Sequence, residues 1–161
     1  MKSLFILQLV CCVITAMLAL QLAMASLQVR WKVWRYEISR WILVASMLFF
    51  SVHYLLQMIH GLRAQGADVG AAFNILFYTP VAFAITLSII NIESTGNKVR
   101  RYCLRGMMAY ILIAIVFVIG MFKSQSLHIG NMLYVMLGLF VASMAYFILI
   151  IRKETKARKQ K

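Results

Sequence analysis

The chain has 161 residues, of which 63% are hydrophobic and 13% are charged, whereas an ordinary soluble domain is about 25% charged. This composition excludes a soluble globular fold and indicates an integral membrane protein. The net charge of +13 does not indicate a nucleic-acid partner, because the basic residues flank apolar stretches and would face anionic lipid headgroups there.

Five apolar stretches follow one another along the chain, each close to the length that crosses a bilayer. A helix rises about 1.5 Å per residue, so about 20 apolar residues cross a hydrocarbon core about 30 Å thick. We predict spans at about Leu4–Leu27, Trp41–His60, Ala71–Ile92, Met107–Phe122 and Asn131–Ile151, the fourth extending back to Tyr102 where more length is needed. The predicted fold is an all-α bundle of five transmembrane helices in one domain, residues 1–151, followed by a basic tail, residues 152–161.

The connecting segments form two sets that differ sharply in lysine and arginine content. The first set holds 14 of the 17 basic residues, namely Arg30, Lys32, Arg35 and Arg40 after span one, Lys98, Arg100, Arg101 and Arg105 after span three, and Arg152, Lys153, Lys156, Arg158, Lys159 and Lys161 after span five. The second set holds Lys2, Arg63 and Lys123. By the positive-inside rule we predict a multi-pass protein of the cell inner (plasma) membrane. Its N-terminus is predicted outside and its C-terminus in the cytoplasm, where the basic segments face anionic lipids.

The start of the chain has features of a secretory signal peptide. Lys2 precedes an apolar run, and the small residues Ala23, Ala25 and Ser26 imitate a cleavage site. However, the apolar run exceeds the usual length of about 7 to 15 residues, and cleavage near Ser26 would leave a strongly basic segment on the outer face. We therefore predict that the first span is retained.

Polar residues within the spans concentrate in the half that is predicted to face outward. They include Gln8, Thr15, His53, Gln57, His60, Asn74, Tyr78 and Tyr134. Polar side chains in hydrocarbon are costly unless they face other helices or a wet cavity. Two interpretations stay open: a polar pocket that opens to the outside, or hydrogen bonds between helices.

Span two carries the clearest polar stripe. At about 100° per residue, His53, Gln57 and His60 fall within about 60° of one another around the helix. The two imidazoles are about 10 Å apart along the axis, too far to bind one metal ion together, so we predict no metal site. The histidines are either proton-sensitive groups or hydrogen-bonded interior side chains.

The connection after span two, residues 61–70, contains three glycines and one acidic residue, Asp68. Glycines let a backbone approach a ligand closely, which favours a binding role for this loop. A carboxylate at the start of a helix also complements the positive end of the helix dipole. Capping of span three is therefore the competing interpretation for Asp68.

Two features predict how the helices are shaped and packed. Pro80, the only proline, removes a backbone hydrogen bond within span three and predicts a bend, which serves either as a hinge or as part of the bundle's shape. Gly138 and Ala142 form a small-xxx-small pair, a pattern that permits close helix contact, including contact in a homo-oligomer.

The basic tail continues the helical periodicity of span five, so we predict one helix from Asn131 into the cytoplasm. Such a helix would transmit piston or rotation movements to an attached domain. A stop-transfer anchor held against anionic lipid is the alternative interpretation.

The segment from His60 to Asn91, especially HGLRAQGADVGAAFNILFYTPVAF, resembles the multi-span amino-terminal membrane regions of bacterial sensor histidine kinases and membrane-tethered AraC-type regulators. The resemblance implies a module that anchors an output domain and receives a signal at or outside the membrane. The chain ends before a phospho-accepting histidine region, an ATP-binding domain or DNA-binding helices would begin. The resemblance therefore implies an input module without its output domain.

We predict a non-enzymatic signal-input or anchoring module that needs no cofactor. The residues predicted to form its ligand-binding or sensing site are His53, Gln57, His60, Asp68 and Asn74. One alternative is a small oligomeric transporter or channel in which Pro80 shapes a gate. Another is a haem or quinone redox protein that uses His53, His60 and His128. No hydrolase or nucleotide-binding motif occurs in the sequence.

Overall fold

A computed structural model describes residues 2–25, 33–93 and 96–159 of the chain, and the regular structure in these residues is entirely helical. The helices are α1 (Lys2–Met24), α2 (Val33–His60), α3 (Leu62–Gln65), α4 (Ala67–Glu93), α5 (Gly96–Ser124) and α6 (Met132–Lys159). All of these except the short α3 are long and apolar enough to cross a membrane. The prediction of five spans is therefore confirmed, while the orientation of the termini stays a prediction.

The helices extend beyond the predicted spans where the chain is charged. Helix α2 begins at Val33 instead of Trp41, α5 begins at Gly96 instead of Met107, and α6 continues to Lys159. The bilayer limits the apolar part of a helix but not its backbone hydrogen bonding, and Arg and Lys are good helix formers. The predicted end of span one at Leu27 and the weighed cleavage site at Ser26 lie outside the described residues.

Consecutive long helices run antiparallel, so the bundle has two chemically different ends. The "basic end" contains the start of α2, the start of α5 and the end of α6. The "loop end" contains the start of α1, the connection through α3, and the connection formed by residues 125–131. Two hydrogen bonds show this arrangement, each between residues 49 positions apart. Gln8 contacts Gln57 near the loop end, and Ser39 contacts Ser88 near the basic end.

Helix α4 is the central helix of the bundle. It packs against α2 on one side and against both α5 and α6 on the other, whereas α1 packs against α2 alone among the described helices. The largest apolar cluster, with Ile75, Ile113 and Met136 at its centre, joins α4, α5 and α6. The outer faces of α1, α5 and α6 expose large apolar side chains along their length, which is the surface that lipid would cover.

One glycine lies directly against an aromatic ring of a neighbouring helix. A Cβ atom at Gly106 of α5 would lie only 2.1 Å from the Phe83 ring of α4, so any side chain at this position would require the ring to move. At Gly138 a Cβ atom would meet nothing within 4 Å, and Ala142 is also exposed. The small-residue pair on α6 therefore mediates no close contact within the described chain, and its role in a homo-oligomer stays a prediction.

Pro80 lies inside α4, which continues through it as one helix from Ala67 to Glu93. The ring lines an apolar cavity of about 290 Å³ between α2 and α4, together with Ile42, Ser46 and Phe49. The preceding residue, Thr79, donates its hydroxyl hydrogen bond to the carbonyl of Ile75 at 2.7 Å. That bond satisfies the Thr79 hydroxyl within its own helix. The hinge role of Pro80 stays a prediction.

Candidate functional site

Three helices meet at a buried polar network near the loop end. We use the name "three-helix network" for Gln8 of α1, His53 and Gln57 of α2, and Asn74 of α4. The side chains of His53 and Gln57 are each only 1% exposed, and that of Gln8 is also buried. Two residues of the polar stripe predicted on α2, His53 and Gln57, therefore face neighbouring helices, and they lie together with the predicted site residue Asn74.

The hydrogen bonds of the network have a defined direction. Gln8 Nε2 donates to Gln57 Oε1 at 3.2 Å, and Gln57 Nε2 donates to Asn74 Oδ1 at 2.8 Å. His53 Nε2 lies 3.1 Å from the same Asn74 oxygen. Because a carbonyl oxygen only accepts, His53 carries its proton on Nε2 in this arrangement. Asn74 thus accepts two hydrogen bonds from α2 through one atom.

Aromatic rings surround the His53 imidazole on two helices. Phe77 of α4 stacks on it with ring centroids 4.5 Å apart, and Tyr78 meets it edge-on at 5.7 Å. The hydroxyl groups of Tyr54 and Tyr78 lie 3.4 Å apart beside the ring. A second bond joins α1 to α2 one turn away, where Ser51 donates to the carbonyl of Cys12 at 3.1 Å. The imidazole is therefore held by packing as well as by hydrogen bonds.

The other two predicted site residues lie outside the network, at the loop end. His60 is exposed at the end of α2, and its backbone carbonyl accepts a hydrogen bond from Gln65 Nε2. Asp68 lies in the first turn of α4, where it suits the helix dipole. It also pairs with a residue of the distant 125–131 connection, because Asp68 Oδ2 lies 2.8 Å from His128 Nδ1.

The Asp68–His128 pair depends on one of the loop glycines. A Cβ atom at Gly66 would lie 2.6 Å from Asp68 Oδ1 and 2.9 Å from His128 Cε1. A side chain there would require the Asp68 carboxylate and the His128 ring to move. This close approach gives the glycine-rich connection a structural role. The three histidines lie in three different environments: His53 is buried between helices, His60 is exposed, and His128 is paired with Asp68.

A second polar cluster at the basic end was missed by the sequence analysis. Glu154 of α6 is only 6% exposed. Its carboxylate accepts a hydrogen bond from the Tyr102 hydroxyl at 3.0 Å and forms an ion pair with the Lys98 ammonium at 3.5 Å. Nearby, Arg105 donates to the Tyr146 hydroxyl at 3.1 Å. The sequence does contain a signal for this cluster, because Glu154 is the only acidic residue after Glu93 and it lies in a basic segment.

The helices α2 and α4 are also joined at the basic end. Ser39 Oγ donates to the carbonyl of Ser88 at 3.0 Å, and Asn91 Nδ2 donates to Ser39 Oγ at 3.0 Å and to the carbonyl of Arg35. Polar contacts therefore fix α2 against α4 at both ends. The apolar cavity beside Pro80 lies between these two contacts.

Three cavities lie away from the three-helix network, and none of the three is lined by His53, Gln57 or Asn74. One is the apolar cavity beside Pro80. The second, of about 450 Å³, is an apolar cleft between α5 and the 125–131 connection, lined by Phe122 and Leu127 among others. The third, of about 290 Å³, lies between α5 and the start of α6 and has both polar and apolar lining residues, His128 among them. The network itself is a set of direct side-chain contacts between helices.

The fold and composition indicate a multi-pass membrane protein. No family model matches the sequence, and no curated protein or solved structure gives a significant match to it. The resemblance to sensor-kinase and regulator membrane regions therefore stays a prediction.

Proposed function

We propose that the protein is a non-enzymatic signal-input or anchoring module of a plasma membrane, with its basic end in the cytoplasm and its loop end outside. The distribution of lysine and arginine supports this orientation. In this proposal the three-helix network receives the signal, which is either a change in external pH or a small polar ligand, and the basic end delivers it.

The observation that carries the proposal is the shared acceptor Asn74 Oδ1. It binds both His53 and Gln57, so the imidazole is itself part of the contact between α2 and α4. A neutral imidazole has one donor and one acceptor nitrogen, whereas the protonated ring has two donors. Protonation therefore changes which partners the ring satisfies. Two titratable side chains among the described residues, Tyr54 and Tyr78, pack beside it.

Helix α2 connects the network to the basic end. It is continuous from Val33 to His60, so a displacement at His53 moves the start of the same helix. The α2–α4 contact through Ser39 and Asn91 would then change. Helix α6 is a second route to the cytoplasm, because it continues to Lys159 and is bound to α5 through Glu154.

Tryptophan fluorescence tests the proposal in the intact chain. Trp34 and Trp41 are exposed at the start of α2 and report on movement there. We expect the emission of the protein in lipid vesicles to change as the external pH falls from about 8 to about 5, the range in which histidine titrates. We expect His53→Leu to abolish this change and His60→Leu, the exposed control, to preserve it.

A small ligand is the other form of the signal. If the wild-type emission does not respond to pH, the same reporter is used with small polar molecules added outside the vesicles. A response to neither, or an equal response in His53→Leu, would remove His53 from the mechanism. Correct folding and insertion of each variant are checked by its elution volume in size-exclusion chromatography and by its helix content in circular dichroism, compared with those of the wild type.

A further inference from the structure

The cavity at the loop end that includes His128 has a cationic and an amide side chain in its lining, which is the chemistry of an anion site. It has a volume of about 290 Å³ and lies between the last turn of α5 and the first turn of α6. Its polar lining consists of Lys123, Ser124, His128 and Asn131. The space is several times the share of one water molecule in the liquid, about 30 Å³. None of these residues belongs to the three-helix network.

Three polar groups in this lining are available to a ligand. Within the described residues, the Lys123 ammonium, the Asn131 amide and His128 Nε2 make no hydrogen bond or ion pair. Ser124 is different, because its hydroxyl donates to the carbonyl of Gly120 at 2.9 Å. The available groups therefore come from the end of α5 and from two positions of the 125–131 connection.

Helix α6 contributes no free backbone donors to the cavity through its first turn. The N–H groups of Met132, Leu133 and Tyr134 are bound to the carbonyls of Ile129, Gly130 and Asn131 at 3.0 to 3.2 Å. Recognition of a ligand here must therefore use side chains. Lys123 supplies a full positive charge, and Asn131 supplies a neutral donor.

Asp68 orients the imidazole that completes the site. Its carboxylate holds His128 Nδ1 at 2.8 Å, so Nε2 is the ring atom left to contact a ligand. When the imidazole is protonated, both nitrogens donate. Among the described side chains, the charged ones at the site are then Asp68 on α4, His128 in the connection and Lys123 on α5, whose charges sum to +1.

We propose that this cavity binds a phosphate group through Lys123, His128 and Asn131. Phosphate offers several strong acceptor oxygens, and lysine is a common point-charge partner for it. Lys123, Asn131 and the protonated His128 ring offer N–H donors of the kind that a phosphate oxygen accepts. The phosphate belongs either to a soluble anion or to a lipid headgroup, since Lys123 lies near the end of an apolar span.

The test uses the full-length protein in maltoside micelles, which contain no phosphate. Inorganic phosphate is titrated at constant ionic strength while the NMR signal of the His128 imidazole is followed. We expect a saturable shift, because the ring contacts the ligand directly. Lys123→Gln should weaken the affinity about tenfold or more, whereas Lys153→Gln, an exposed cation at the basic end, should leave it unchanged.

A second arm identifies the source of the phosphate. Phosphatidylglycerol is added to the micelles, and a phosphate-free glycolipid is the matched control. Saturation by the phospholipid but not by inorganic phosphate assigns the site to a lipid headgroup, and the reverse assigns it to a soluble anion. No saturable shift in either arm would overturn the proposal, as would equal affinity in wild type, Lys123→Gln and Asn131→Ala. Asn131→Ala keeps the test decisive if Lys123→Gln fails to fold.

Discussion

The Tyr102 hydroxyl donates a hydrogen bond to Glu154 Oε1 at 3.0 Å, which fastens the last turns of α6 to the first turns of α5. These residues are 52 positions apart in sequence. Glu154 is buried, whereas its second partner, Lys98, is half exposed. The hydrogen bond should therefore contribute more to stability than the ion pair, because solvent screens exposed pairs.

Two single substitutions separate these contributions. Tyr102→Phe removes only the hydrogen bond to a charged acceptor and should lower the free energy of unfolding by about 1.5–3 kcal/mol. Lys98→Gln should lower it by less than about 1 kcal/mol. Unfolding in mixed micelles with increasing dodecyl sulfate gives both values. Tyr134→Phe, at an exposed tyrosine on the same helix as Glu154, is the control, and equal losses in all three variants would contradict this account.

A second prediction concerns the shared acceptor of the three-helix network. Asn74→Leu removes two hydrogen bonds and leaves two buried donors on α2, whereas Gln8→Leu removes one bond. Interhelical hydrogen bonds in membranes contribute about 0.6 to 1.7 kcal/mol each. We expect the unfolding free energy to fall by about 1–3 kcal/mol for Asn74→Leu and by less for Gln8→Leu.

The control for this pair is Asn97→Leu, because Asn97 is exposed at the start of α5. It should change the unfolding free energy by no more than a few tenths of a kcal/mol. If Asn74→Leu proved as mild as Asn97→Leu, the network would not join the helices in the way its geometry indicates.

A third prediction concerns the close contact of α4 with α5. Gly106→Ala places a Cβ atom where the Phe83 ring lies, so we expect a loss of about 1–3 kcal/mol from overpacking. Gly138→Ala meets open space and should be neutral or stabilise the helix by up to about 1 kcal/mol. Adding Phe83→Leu should restore part of the loss in Gly106→Ala, and absence of any rescue would mean that the clash is not with this ring.

A fourth prediction concerns orientation, which we infer from charge alone. Single cysteines are placed at Ser126 in the 125–131 connection and at Lys153 near the end of α6, after replacement of Cys11, Cys12 and Cys103. A membrane-impermeant maleimide added to intact cells should label the cysteine at 126 and not the one at 153. Labelling at 153 alone would reverse the orientation and place the network near the cytoplasm.

The sequence predicts the five spans well because the bilayer selects for apolar length. It predicts their ends poorly where charged residues continue the helix, as at Val33, which precedes the predicted start of span two at Trp41. The polar face of α2 follows from the spacing of His53 and Gln57, since residues four apart share a helix face. The sequence also predicts that Asn74 lies in the same half of the membrane as His53 and Gln57.

The pairings between helices do not follow from the sequence. Asp68 and His128 are 60 positions apart, and their contact depends on the rotation of α4 and on the path of the 125–131 connection. The predicted site of five residues divides for this reason, with three in the network and two at the loop end. The tight fit of Gly106 against Phe83 likewise depends on how two helices are rotated and offset against each other.

The distance between α2 and α4 at the basic end tests the central claim most directly. Spin labels at Trp41 and Ile92, both exposed, are introduced into the cysteine-free chain and measured in lipid nanodiscs by pulsed electron resonance. We predict that the distance distribution changes between about pH 8 and about pH 5, or on addition of a ligand that gives a fluorescence response, and that His53→Leu abolishes the change. A distribution that responds to neither, or that changes equally in His53→Leu, would contradict the proposal that the three-helix network transmits a signal.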